Sequence, residues 1–282
     1  MIKSGINYDA IKPAIDYALK EDIGNGDITT NLLIPSGLKT KATMVAKSAG
    51  IIAGLEVAKY VFSTLSPDII WKPFVNDGDK VAKGDIILEI TGSYRALLTG
   101  ERLALNFMQR MSGIATATAN YIDTLSDYKS IILDTRKTAP GLRLLDKYAV
   151  KMGGGSNHRM GLYDMVLIKD NHIKVAGGIT KAVAQIKKNI PRGIKIEVET
   201  TTIEEVNEAL AAGVDIIMLD NMSTDIMAES VKIISGRVKV EASGNITLER
   251  LKEVAATGVD FISIGALTHS VTALDISMNI ET

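Results

Sequence analysis

The sequence predicts an α/β protein in two parts: an N-terminal α/β sandwich (barrel-sandwich-like) and an incomplete parallel α/β barrel. Three observations predict it. In the second half, short apolar runs alternate with amphipathic stretches, the pattern of parallel strands joined by helical crossovers. The first third holds short strand candidates punctuated by Asp-Gly and Lys-Gly turns. After residue 113 only six strand candidates are clear, and a closed eight-stranded barrel needs about 250 residues. A doubly wound open sheet would be served by the same alternation.

Taken in order, residues 8–20 suit a short amphipathic helix, with Ile11, Ile15, Ala18 and Leu19 on one face. "EDIGNGDITTNLLIP" reads as a turn-rich connector. From Lys39 to Ile90 the pattern is short strands with glycine punctuation. Within it, "VNDGDKVAKGDIILEITG" resembles the flattened β-sandwich of lipoyl and biotinyl domains, without a convincing counterpart of their modified lysine. Helical periodicity returns over 96–120, through Leu98, Leu103, Leu105, Phe107 and Met108. These features place an N-terminal domain over 1–112 and a barrel over 113–269, with the tail 270–282 packing back on the first domain.

The barrel strands are "SIILDTRKT", "DMVLIKDNH", "IKIEVETTT", "DIIMLDNMS", "VKVEASGN" and "FISIGALTHS". Helices such as "TTIEEVNEALAA" and "TLERLKEVAA" separate them.

Composition narrows the function. The chain has 282 residues, 46% apolar and 23% charged, the balance of a globular protein with a sizeable core. A net charge of −1 gives no global basic field for nucleic acid. The absence of cysteine removes disulfides, thiolate metal sites and cysteine nucleophiles. The N-terminus lacks the apolar core and cleavage site of a secretory signal. No stretch reaches the roughly 18–20 apolar residues of a membrane span. A soluble, cytoplasmic protein is expected.

Polar residues collect where the predicted strands end, which is where barrels carry their chemistry. The six tips give Asp134, Thr135, Arg136 and Lys137; Lys169, Asp170 and His172; Glu197 and Glu199; Asp220 and Asn221; Glu241, Ser243, Gly244 and Asn245; and Gly265. Cations and carboxylates around one empty cavity would be expensively desolvated. They suit an anionic substrate with a bound divalent metal: cations hold phosphates or carboxylates, and acids hold Mg²⁺ directly or through its waters. Of Arg136 and Lys137, adjacent on one strand, only one is expected to face the centre. Glu197 and Glu199 lie two apart and face one side. The small residues of "EASGN" and "SIGAL" let backbone N–H groups approach a phosphate. Ordinary tight turns would read the same way. No role is assigned to His172 or His269.

One loop does not fit a phosphate cradle. "KMGGGSNHRMGLYD" lacks the Gly-Lys-Ser/Thr ending of a Walker loop and precedes a strand. Leu142, Leu145, Tyr148, Ala149 and Met152 suggest a helix ending at a glycine C-cap, Gly153. The other two glycines are left to turn the chain.

The block "LDTRKTAPGLRLLDKYAVKMGGGSNHRMGLYDMVLIKDNHI" closely resembles the signature of the quinolinate phosphoribosyltransferases, also called nicotinate-nucleotide pyrophosphorylases (carboxylating). "ALKEDIGNGDITT", "GERLALNFMQRMSGIAT", "IEVE", "MLDN", "EASGNI" and "SIGALTHS" extend the likeness over almost the whole chain. Two positions depart from the common pattern: Asn245, where a second glycine is frequent, and Ala139, where threonine is.

The resemblance implies an enzyme that joins quinolinate to phosphoribosyl pyrophosphate with Mg²⁺, releasing nicotinate mononucleotide, pyrophosphate and CO₂. It implies that Arg102, Arg136, His158 and Arg159 hold the quinolinate carboxylates, and that Lys137 and Lys169 lie between the two substrates. Glu199 and Asp220 would approach the ribose hydroxyls and the metal, with Thr135 also on the phosphoribosyl pyrophosphate side. Ser243, Gly244, Asn245 and the backbone of Ile264, Gly265 and Ala266 would take the 5′-phosphate. Arg102 would come from a neighbouring subunit, making the active unit at least a homodimer.

Three rivals are distinguishable. A Schiff-base barrel enzyme would use Lys169 but leaves the Asn-His-Arg loop unexplained. A paralogue of the same fold with another substrate is disfavoured by the Arg136–Lys137 pair and by Asn157–His158–Arg159. A carrier module would carry a modification on Lys80 or Lys83.

Overall fold

The structure, a computed structural model, describes residues 7–281. In chain order its elements begin α1 (Tyr8–Ile23), α2 (Ile28–Leu33), β1 (Lys39–Ala46), β2 (Gly50–Ile51), α3 (Leu55–Leu65), β3 (Ile70–Pro73), β4 (Lys80–Val81), β5 (Ile86–Ser93) and α4 (Tyr94–Thr124). They continue β6 (Ile131–Leu133), α5 (Arg143–Met152), β7 (Val166–Ile168), α6 (Asp170–Ala176), α7 (Ile179–Lys187), β8 (Ile196–Thr200), α8 (Ile203–Ala212) and β9 (Ile216–Asp220). The last are α9 (Thr224–Ile234), β10 (Lys239–Ser243), α10 (Leu248–Ala256), β11 (Phe261–Ser263), α11 (Ala266–His269) and β12 (Ile276–Ile280).

Two compact units interleave in sequence. One comprises Met1–Ala119, Thr138–Gly154 and Leu267–Thr282; the other comprises Asn120–Lys137 and Gly155–Ala266. The boundary falls inside α4. The division at 112/113 drawn from sequence is linear and contains no excursion of 138–154 into the first unit.

The first unit is built on an antiparallel sheet in the order β12-β1-β5-β3, with β2 and β4 paired separately. Its turns follow the sequence closely. Gly78 and Gly84 take φ of +94° and +98°, which glycine adopts without strain. The carboxylates of Asp79 and Asp85 accept from the backbone N–H of Asn76 and Ala82 at 2.7 and 2.8 Å. Helix α1 buries Ile11, Ile15 and Leu19, while Ala18 on the same predicted face is only half-buried. The connector predicted after it contains α2, whose first turn is capped by Asp27 accepting from Thr30 N–H at 2.9 Å. Six residues are too few to show a helical period among turn residues.

Helix α4 packs against the tail backbone. A Cβ on Gly113 would stand 2.2 Å from Thr272 O, and Gln109 Nε2 donates to Ile276 O at 2.8 Å. Segment 138–154 is tied to the same helix by a bidentate pair, Arg110 Nε and Nη2 to buried Asp146 at 2.9 and 2.8 Å.

The glycine run divides its work differently from the sequence reading. Gly153 does follow the last residue of α5, but its φ is −79°. It must be glycine because a Cβ would lie 2.3 Å from Ala115 O, where the two helices meet. The left-handed residue is Gly154, at φ +91°.

The second unit is one parallel six-stranded sheet in the order β6-β11-β10-β9-β8-β7. From β7 to β11 each strand pairs with its sequence neighbour, and β11 then pairs with β6. The winding never reverses, so there is no topological switch point and the barrel reading holds over the doubly wound one. Among the described residues β6 and β7 do not pair, which leaves the barrel incomplete. Ser156 makes an isolated parallel bridge to Leu133 on the free edge of β6, so the chain leaving the glycine run starts along that edge. Ile132, Val198, Ile217, Leu219, Ala242 and Ile262 are fully buried in this unit. Among the described residues no helix is long and apolar enough to cross a membrane.

Candidate active site

Parallel strands put all their C-terminal ends on one side, so the tips of the second unit form one polar rim. Asp134, just past β6, is fully buried and organises the next loop. It accepts from Asn157 Nδ2 at 2.5 Å and from His158 N–H at 2.9 Å. Arg159 Nη1 donates to Met165 O at 3.2 Å, and Asp164 accepts from Met160 and Gly161 N–H at 2.7 and 2.9 Å. The Asn-His-Arg segment is therefore fixed from both sides before any ligand arrives.

Two arginines face a shared electrostatic environment. Burial, and then the charge of nearby Arg136, hold the Arg159 guanidinium below its ordinary pKa; Glu197, Asp164 and Glu199 oppose that shift. A half-buried guanidinium whose charge is disfavoured by a second cation beside it is a receptor for an anion. Arg136 is half-buried while Lys137 is exposed, but both lie past the end of β6 at Leu133, so the strand alternation expected from sequence is not what separates them. Lys137 N–H donates to Thr135 Oγ1 at 3.0 Å.

Lys169, following β7, forms an ion pair with Glu199 at the end of β8. His172 accepts from Lys169 N–H through Nδ1 at 3.0 Å, so this exposed histidine caps the first turn of α6. His269 is also exposed, with Nδ1 2.8 Å from Ser270 Oγ. At the end of β9, Asp220 Oδ2 accepts from Asn221 Nδ2 at 2.9 Å. Ser243, Gly244 and Asn245 follow on the neighbouring strand, and Gly265 with Ile264 and Ala266 follows β11. Ile264 is held by its N–H donating to Leu133 O at 2.9 Å. The structure thus brings the predicted site residues onto one rim, except Arg102 and the ring of His158, which turns inward. Arg102 is exposed on α4 in the first unit.

The sequence reading did not reveal what lies one layer below. Glu197 and Glu241 are fully buried, with carboxylates against His158: Nε2 lies 3.0 Å from Glu197 Oε2 and 3.5 Å from Glu241 Oε2. The other ring nitrogen, Nδ1, accepts from Arg159 N–H at 2.8 Å, so the ring proton sits on Nε2 and faces the acids. Burial pushes Glu197 up to about 7 and Glu241 up to about 8, Glu241 being raised further by Glu197. The expectation that His158 holds a substrate carboxylate does not follow from this arrangement, because both ring nitrogens are engaged inside the protein.

Two groups of residues could hold a metal. Donor atoms of His158, Glu197 and Glu241 lie within 4.8 Å of one another. Their burial leaves no room for the waters that Mg²⁺ keeps. Glu199 and Asp220, at the ends of β8 and β9, are the other carboxylates that could: each is half-buried, and each engages one carboxylate oxygen in a contact described above.

A sequence pattern described as quinolinate phosphoribosyl transferase, N-terminal domain, matches residues 27–112, and its C-terminal counterpart matches 114–279. A probable nicotinate-nucleotide pyrophosphorylase (carboxylating) of Bacillus subtilis is 46% identical over 98% of this chain and 95% of its own length. A counterpart from Synechocystis is 48% identical over 96% of this chain and 92% of its own. The crystal structure of NadC from Streptococcus pyogenes superimposes with a TM-score of 0.95 at 42% identity, covering 98% of both chains. The chain belongs to the quinolinate phosphoribosyl transferase family.

Proposed function

We infer that the rim of the parallel sheet binds quinolinate and phosphoribosyl pyrophosphate side by side. The enzyme transfers the phosphoribosyl group to quinolinate with decarboxylation, giving nicotinate mononucleotide, pyrophosphate and CO₂, a reaction of NAD biosynthesis. The observation that carries this placement is the Arg136–Arg159 pair, two neighbouring guanidiniums beside the Lys169–Glu199 ion pair. A pyridine with two adjacent carboxylates matches two guanidinium forks.

In this reading Arg136 and Arg159 hold the quinolinate carboxylates, and His158 serves by fixing the backbone of Arg159. Lys137 and Lys169 stand between the substrates. Thr135, Ser243, Gly244, Asn245 and the backbone of Ile264, Gly265 and Ala266 receive the phosphates. Glu199 and Asp220 face the ribose. As the bond from ribose C1 to pyrophosphate oxygen breaks, its electron pair leaves with pyrophosphate and positive charge grows at C1. Fixed carboxylates stabilise that charge without reorganising. The quinolinate nitrogen then bonds to C1. Loss of the adjacent carboxylate as CO₂ leaves an electron pair on the ring carbon, stabilised by the pyridinium nitrogen until a proton arrives. No protein nucleophile is needed. Mg²⁺, held by Glu199 and Asp220, directly or through water, would neutralise charge on the pyrophosphate.

A second copy of the chain completes the proposal, with Arg102 of the partner subunit reaching quinolinate. A groove of about 950 Å³ along β7, α6 and α7 supports an assembly. Arg159 lies on its wall, and Leu162, Tyr163 and Val175 are strongly exposed there. Sedimentation should give a dimer or larger; a monomer would remove this part of the reading. A cytoplasmic location also belongs to the proposal.

The purified protein should release CO₂ from quinolinate only when phosphoribosyl pyrophosphate and Mg²⁺ are both present. Absence of turnover, or equal product formation from nicotinate, would sink the assignment.

A further inference from the structure

We propose that Asn221 is a positioning residue that ties the tip of β9 to the tip of β10, so that Asp220 and the Ser243–Asn245 turn are spaced for one ribose 5-phosphate. The inference rests on the assignment of these tips to phosphoribosyl pyrophosphate.

The two strands run parallel, with Asp220 opposite Ser243 at the end of their pairing. One more ladder bond follows, Asn221 N–H to Ser243 O at 2.9 Å. Beyond it both chains turn through left-handed backbone: Asn221 at φ 54°, Gly244 at φ 94° and Asn245 at φ 50°. Two of these residues are not glycine, and left-handed backbone is strained for an ordinary side chain. Asparagine tolerates it when its short amide bonds locally.

Here the Asn221 amide does so on both sides. Its Nδ2 donates to Asp220 Oδ2 at 2.9 Å, and its Oδ1 accepts from Asn245 Nδ2 at 3.0 Å. Aspartate in its place would lack the donor, and glycine would lack both groups. The packing is close as well. A Cβ on Gly244 would stand 2.3 Å from Asn221 Oδ1 and 2.9 Å from its backbone nitrogen, so the turn can lie against Asn221 only as glycine. One side chain therefore fixes the Asp220 carboxylate, the conformation of Asn245 and the seat of Gly244. Strain held at adjacent loop tips by mutual hydrogen bonds is the form that preorganisation takes at ligand sites.

The test is Asn221→Gly, which keeps the left-handed backbone and deletes the amide. Its KM and its calorimetric Kd for phosphoribosyl pyrophosphate should rise on the order of ten- to a hundredfold, the usual effect of removing a supporting contact. The Kd for quinolinate and the melting temperature should stay near wild type. Asn221→Asp should show the same selective weakening, because it keeps the acceptor for Asn245 and sets a second carboxylate against Asp220. Wild-type affinity for phosphoribosyl pyrophosphate in Asn221→Gly would overturn the proposal. Equal weakening toward both substrates would also overturn it, since it would show general loosening of the rim. A wild-type enzyme that fails to turn over quinolinate would instead count against the proposed function, which separates the two failures.

Discussion

Replacing Arg159 by alanine is expected to raise the KM for quinolinate on the order of a hundredfold or more, since removing one partner of a desolvated charge pair costs about 2–5 kcal/mol. The KM for phosphoribosyl pyrophosphate should change only a few-fold. The reason is the local arrangement. Arg159 sits in a loop already closed by Asp164 and by its own bond to Met165 O, so its guanidinium is held without ligand. Burial and the neighbouring Arg136 both disfavour its charge. A substrate dicarboxylate reverses that balance by giving each guanidinium a counter-charge. Alanine removes one of the two forks and leaves a bound carboxylate without its counter-charge, with Glu197, Asp164 and Glu199 nearby. Arg159→Lys should fall between, since it keeps the charge but loses the planar bidentate geometry. An unchanged KM for quinolinate in Arg159→Ala would show that the pyridine acid binds elsewhere.

What the sequence discloses here depends on the kind of physics involved. Parallel strands announce themselves as apolar runs with polar ends, so the stretches around β6 through β11 were all readable, as were the tips that carry Arg136, Lys169, Glu199 and Asp220. Three features were not. The excursion of 138–154 into the first unit rests on Arg110 and Asp146, 36 residues apart, and no local pattern encodes a pairing at that distance. The reason for Gly153 lies in helix α4, where Ala115 O leaves no room for a side chain. Finally, a period of two reveals which face a strand residue occupies but not its depth. Glu197 and Glu199 share a face, yet Glu197 is sealed against His158 while Glu199 reaches Lys169 at the mouth. The run "EVE" carries the shared face and nothing of the difference.

That depth leads to the second large effect. Glu241→Gln is expected to flatten a loss of stability that the wild-type protein should undergo as pH rises from about 5 to 8. In the folded chain burial, reinforced by Glu197, lifts Glu241 from 4.5 to about 8. Between those values the unfolded chain has released the proton and the folded chain still holds it. The folded state binds more protons there, so stability falls as pH rises and levels off only above the folded pKa. Glu197, lifted to about 7, contributes in the same direction over a narrower window. One pKa unit corresponds to about 1.4 kcal/mol, so these groups together should cost several kcal/mol by pH 8. Glutamine cannot ionise and removes the larger share. The melting temperature of Glu241→Gln relative to wild type should therefore climb with pH, on the order of several degrees by pH 8. At pH 5 the variant should be equal or slightly less stable, because an amide replaces a carboxylic acid beside the His158 Nε2–H. Parallel curves for the two proteins would mean that Glu241 does not titrate in this window. A stoichiometric transition metal in the purified wild type, lost in Glu241→Gln and stripped by a chelator with a drop in melting temperature, would instead mean that the carboxylates are held ionised by a cation. The stability loss with rising pH would then be absent, so a melting series at four or five pH values separates the two arrangements.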